Sequence, residues 1–199
     1  MSTTVIPVEA RLAAELIESI RTKHEVLERE MPMLAQIARM LTQVLRDGNK
    51  VLVFGNGGSA ADSQHIAAEL VGRFRRERRA LPAIALTTDT SILTAVGNDY
   101  GFEDVFARQI EALGNAGDLA LAISTSGNSP NVLKAVGKAK ELGMITVGFS
   151  GDDGGKLKQA VDVCFRVPSR STPRIQEAHI AAAHAICETV EAEFAAANS

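Results

Sequence analysis

The chain has 199 residues, 46% apolar and 4% aromatic with no Trp, and its formal net charge is −3. This length suits one sizeable domain, and a core of Ala, Val, Leu and Ile suits helices on a parallel sheet. So small a charge excludes a general attraction to nucleic acid or anionic membrane. Two cysteines, Cys164 and Cys187, are too few for a disulfide framework and fit a reducing cytoplasm. No signal-peptide pattern opens the sequence, and no apolar run could span a bilayer.

Residues Met1 to Pro7 read as frayed. A helical stripe begins near Val8 with Leu12, Leu16, Ile17 and Ile20, then Val26 and Leu27. Pro32 interrupts it and opens a second helix, striped by Leu34, Ile37, Leu41, Val44 and Leu45 and stopped by Asp47-Gly48. Both helices precede any strand. Their stripes must pack on the sheet, on each other or on another subunit, and a subunit interface is the expectation. Residues 1–48 are therefore read as a helical packing and assembly segment, and 49–199 as the main domain.

Val51 to Phe54 reads as a buried strand, followed by Gly55-Asn56-Gly57-Gly58-Ser59. Ser59 is the expected N-cap of the next helix, with Asp62 in capping-box position. A strand, a glycine turn and a helix N-terminus make a site for a polar or anionic ligand. His65, Glu69 and Arg73, each four residues after the last, share one face of that helix. The run Arg73-Phe-Arg-Arg-Glu-Arg-Arg79 reads as a solvated helix end, although it could bind phosphates.

A second strand spans Pro82 to Leu86, then polar Thr87 to Ser91, a short helix to Val96, and a turn at Gly97-Asn98-Asp99-Tyr100-Gly101. Phe102 to Leu113 reads as one helix closed by Gly114. The third strand, Leu119 to Ser124, runs into Ser124-Thr125-Ser126-Gly127-Asn128-Ser129, with Pro130 at the first position of the following helix. A cap needs one or two hydroxyls and this loop offers four, so it reads as a phosphate cradle built without lysine. Met144 to Phe149 and Val161 to Val167 complete five strands, and Pro173 opens a last helix that runs nearly to the end. Strands alternating with helices imply a parallel, doubly wound, flavodoxin-like αβα sandwich, with ligands beyond the carboxyl ends of the strands.

The last helix carries Gln176, His179 and His184, while His24 reads as solvated. Gln176 and His184 are about 12 Å apart along a helix, yet ligands of one zinc lie about 2.0–2.2 Å from it. Long side chains leaning together, or two subunits, could close that gap, and His179 is a local competitor for Gln176's place.

The stretches GNGGSAADSQHIAAEL, GNDYGFEDVFARQ, ISTSGNSPNV and RIQEAHIAAAH together resemble the sugar-isomerase (SIS) domain family over nearly the whole chain, in particular its heptose-phosphate isomerase branch. The resemblance implies a SIS sandwich, a homotetramer built partly through the leading helices, and a site between subunits. It implies one zinc per subunit held by His65, Glu69, Gln176 and His184, with Glu69 and His184 as the acid–base pair. It implies substrate contacts from Asn56, Gly57, Gly58, Ser59, Glu69, Arg73, Asn98, Asp99, Ser124, Thr125, Ser126, Ser129 and Gln176.

The activity so implied is an aldose–ketose isomerisation of sedoheptulose 7-phosphate through an enediol, in the cytoplasm. A related branch shares the fold but binds the replication initiator instead of catalysing. Leu81 to Leu86 and Ser169 to Arg174 resemble that branch as well, but its pattern lacks the glutamate and second histidine that stand here at Glu69 and His184. The isomerase reading therefore leads over the scaffold, and over a sugar-sensing regulator, for which no helix-turn-helix pattern is seen.

Overall fold

The structure, a computed structural model, describes residues 6–195, so most of the segment expected to fray lies outside the described residues. Two helices lead, α1 (Val8–Arg29) and α2 (Met31–Arg46). Then follow β1 (Val51–Gly55), α3 (Gly58–Val71), β2 (Ala83–Ala85), α4 (Thr90–Asp99), a 3-10 turn (Phe102–Asp104) and α5 (Ala107–Leu113). The chain continues through β3 (Leu119–Ile123), α6 (Pro130–Glu141), β4 (Ile145–Ser150), α7 (Leu157–Ala160), β5 (Val163–Arg166) and α8 (Thr172–Ala195).

The five strands form one sheet in the order β2-β1-β3-β4-β5, and every pair is parallel. β1 and β3 are buried along their whole length because helices cover both faces, which is why they read as unbroken apolar runs. One core layer lies between the sheet and α2, α3 and α8, and the other between the sheet and α5, α6 and α7. The strand order reverses between β1 and β3, so the loops leaving these two strands flank the crevice where such sheets bind ligands.

Several boundaries differ from those expected. The turn placed at Gly97 begins later, because α4 continues to Asp99 and the chain reverses at Gly101, whose φ is 98°. The helix expected from Phe102 is broken after its 3-10 start, and regular helix resumes only at Ala107. Ser59 is not the N-cap. Gly57 takes that place with φ 57°, a conformation only glycine holds easily, so α3 starts earlier and Ser59 is buried in its first turn.

The two leading helices behave oppositely. The stripe of α2 is buried in the core against α8 and the sheet. α1 instead turns Ser19, Thr22 and Val26 inward and leaves its apolar stripe outside, with Leu12, Leu16, Ile20 and Leu27 each 60–67% exposed. A buried guanidinium holds this orientation. Arg174 of α8 donates to the Glu15 carbonyl (2.7 Å), the Glu15 carboxylate (3.0 Å) and Glu177 (2.6 Å). No described helix is long and apolar enough to cross a membrane.

Candidate active site

α3 and α8 pack side by side. Gln176 lies against Gly58 at the start of α3, and eight residues on His184 meets His65, seven residues along α3. The helices therefore run in the same direction, and their periodicity brings two turns of each into register. His65 Nε2 is 2.9 Å from His184 Nε2 and 3.2 Å from Glu69 Oε1. The three ligand atoms all lie within 4.8 Å of one another.

Two imidazoles and a carboxylate are donors zinc accepts, and a tetrahedral site with bonds of about 2.1 Å sets its ligand atoms about 3.4 Å apart. The observed spacings are close to that, so these residues fit the metal. One chain alone gathers three of the four expected ligands. Gln176 is the fourth, and its amide fills the space that a Cβ on Gly58 would take. The competing His179 is only 1% exposed and is bonded to the Ser150 carbonyl (3.1 Å), so it faces the core. Cys187 packs close to Glu69, but burial first and that carboxylate second push its thiol up to about 12, so it stays protonated.

Asp62, expected as a cap partner, instead has one buried oxygen with no hydrogen-bond partner. Burial pushes its carboxyl up, while His65 and His184 pull it down, so it lies in the electrostatic field of the cluster. Sequence reasoning missed this placement. Its only signal was the spacing Asp62–His65–Glu69, one acidic or basic group per helical turn.

The loop after β3 is the other candidate element. Ser124 and Ser129 hydroxyls lie 3.0 Å apart, and Ser126 Oγ accepts from the Asn128 backbone N–H at 3.2 Å. Ser129 caps α6 in position but makes no side-chain cap bond, so its hydroxyl is not spent on the helix. A cavity of about 450 Å³ opens beside this loop, lined by Thr125, Ser126, Asn128, Asp152, Ser169 and Arg170. Asn56 pairs with Asn131. Its amide and that of Asn131 exchange two hydrogen bonds of 2.9 Å each, tying the turn after β1 to the start of α6. Asn131 was not anticipated, since an asparagine behind Pro130 looks like ordinary helix surface.

The remaining expected contacts are paired with neighbours in the single chain. α3 ends at Val71, so Arg73 leaves the helical face of Glu69 and pairs with exposed Glu77 at 2.7 Å. Asn98 and Asp99 are exposed at the end of α4 and bond to each other at 2.8 Å. The arginine run is mostly exposed, as expected, but it is irregular chain laid against α8 and not a helix end, and its Arg78 side chain is only 1% exposed.

A parallel αβα sandwich with a serine loop at its switch point and an acid–imidazole cluster between α3 and α8 is suited to a polar or anionic ligand. The comparisons narrow it. The SIS domain family matches residues 16–151. Phosphoheptose isomerases of Roseiflexus sp. (strain RS-1) and Aquifex aeolicus (strain VF5) are each 58% identical, over 89% and 87% of this chain and 90% and 91% of their own lengths. The solved phosphoheptose isomerase of Francisella tularensis superposes with a TM-score of 0.91 at 40% identity, covering 94% of this chain and all of the other. The chain belongs to the SIS-domain family, within its phosphoheptose isomerases.

Proposed function

We propose that this protein interconverts sedoheptulose 7-phosphate and D-glycero-D-manno-heptose 7-phosphate through an enediol. The observation that carries the reading is the convergence of His65, Glu69 and His184 within 4.8 Å of one another. The loop hydroxyls of Ser124, Thr125, Ser126 and Ser129 and the amides at the start of α6 hold the phosphate. Anchoring that end fixes the reacting carbons against α3 and α8. Asn56, Gly57, Gly58 and Gln176 line the sugar, with Arg73, Asn98 and Asp99 at its edge.

Glu69 takes the proton from the carbon next to the carbonyl, and His184 returns one to the neighbouring carbon or oxygen. Oε1 of Glu69 faces His65, which leaves its second oxygen for the proton. His65, Glu69, Gln176 and His184 would hold one zinc per subunit, which would supply Lewis-acid charge stabilisation.

The inverted α1 supports a homo-oligomer, and we propose a tetramer in which residues 1–48 serve assembly and 49–199 carry the site. Buried Cys164 and Cys187, both free thiols, fit a cytoplasmic protein. The test is turnover of sedoheptulose 7-phosphate by the wild type and by Glu69→Gln. Loss of about a hundredfold or more in kcat is expected for removal of a general base. Undiminished turnover in the variant refutes the assigned base. A wild type without turnover that captures a replication initiator supports the scaffold instead.

A further inference from the structure

The stretch Phe74–Arg79 has no part in the chemistry above, yet it is held by a buried carboxylate. The Glu191 carboxylate of α8, 1% exposed, accepts hydrogen bonds from the backbone N–H groups of Phe74 (2.8 Å), Arg75 (2.7 Å) and Arg76 (2.9 Å). Desolvation alone would raise this carboxyl, but those three donors and Arg78 outweigh it and hold it below its usual value. Arg78 is equally buried. Its Nη2 donates to the Glu69 carbonyl (2.7 Å) and its Nη1 to the carbonyls of Gly72 (2.9 Å) and Arg79 (3.0 Å), while its Nε lies 3.6 Å from Glu191.

These contacts tie two helices together. α3 ends two residues after Glu69, so its last carbonyls have no partner within the helix, and Arg78 supplies one. The same strap sets the Phe74 ring 5.6 Å from the His184 imidazole, inclined at 32°. A single carboxylate on α8 thus fixes the segment that reaches both Glu69 and His184.

We propose that Glu191 and Arg78 are positioning residues, which set the spacing of Glu69 and His184 and so the geometry of the metal site. Neither is assigned any contact with substrate or metal. The inference rests on the proposed zinc site. Its rival is that the pair serves only to hold the fold together, and a measure of metal affinity beside one of stability tells the two apart.

The experiment compares wild type, Glu191→Gln, the double variant Glu191→Gln/Arg78→Met, and Val44→Ala as a core lesion away from the site. Zinc affinity is read by competition with a chromophoric chelator, site geometry from the visible absorption of the cobalt-substituted protein, and stability from Tm. Glu191→Gln should weaken zinc about tenfold or more and alter the cobalt spectrum. The double variant, which no longer buries an unpaired guanidinium, should recover Tm relative to Glu191→Gln without recovering zinc affinity. Val44→Ala should lower Tm and leave zinc affinity within about twofold, as expected of a site its cavity does not touch.

A Glu191→Gln protein that loses Tm but binds zinc as the wild type does overturns the inference, as does a double variant that recovers both. If Glu191→Gln does not fold, the double variant decides alone by the same two readouts. A wild type that binds no zinc overturns the functional reading beneath it, a result distinguishable from the others.

Discussion

His179 makes the stability of this protein depend on pH. A backbone carbonyl can only accept, so the hydrogen bond to Ser150 requires the proton on Nε2. Nδ1 is then a bare, buried nitrogen without a partner, with the rings of Phe149 and Phe165 at 5.5 and 5.9 Å. Protonating it puts a charge among aromatic rings, and burial pushes the group down to about 4. In the unfolded chain it titrates near 6.5. Between these values the unfolded chain binds more protons, so stability is full above about pH 6.5 and falls as the pH drops toward 4.

At about pH 4.5 the loss from this one group is about 2.5 kcal/mol. The assay is urea unfolding of metal-free wild type and His179→Gln, whose amide can still donate to Ser150, from about pH 7 to pH 4.5. The two stability curves should converge by about 2 kcal/mol on acidification, because every other group cancels in the difference. Parallel curves would show that His179 titrates alike folded and unfolded, and the account of its burial would be wrong.

Gly58→Ala and Gly127→Ala should fail in different ways. A Cβ at Gly58 meets only the end of the Gln176 side chain, so Tm should hardly move while zinc affinity falls; unchanged affinity would remove Gln176 from the metal site. A Cβ at Gly127 meets the Gly154 backbone at a residue with φ 64°, and denaturation should show a loss of about 2 kcal/mol or more. On α1, Leu16→Glu/Ile20→Glu alters side chains 67% exposed in the single chain, so it should cost the folded subunit little. Sedimentation should nevertheless show smaller assemblies than the wild type, and an unchanged mass would mean that this face is not the interface.

The periodicity of apolar residues was enough to set out the alternating strands and helices, and with them the parallel sheet. The stripe of α2 followed from the same spacing, but not its partner: it packs on α8 and the sheet of its own chain, not at the subunit interface expected of it. His65 and Glu69 were legible as a pair because four residues on a helix make neighbours whatever else the chain does. Local signals failed where a contact distant in sequence outbid them. The serine that looks like a cap yields to a glycine, because the turn after β1 needs φ of 57°. Arg73 looks like a neighbour of Glu69, but α3 stops at Val71 and the strap turns onto α8, drawn there by Glu191.

Sequence by itself determined the sheet, the two loops at its carboxyl edge and which residues could carry acid–base or metal chemistry, since all of these rest on spacing within one element. Only the tertiary structure decided that His184 reaches His65 within one chain, that His179 faces inward, and that α1 turns its apolar side to solvent. Each of those depends on how one helix is rotated against another, and that rotation is set by buried groups such as Arg174 and Glu191, whose partners lie more than a hundred residues away.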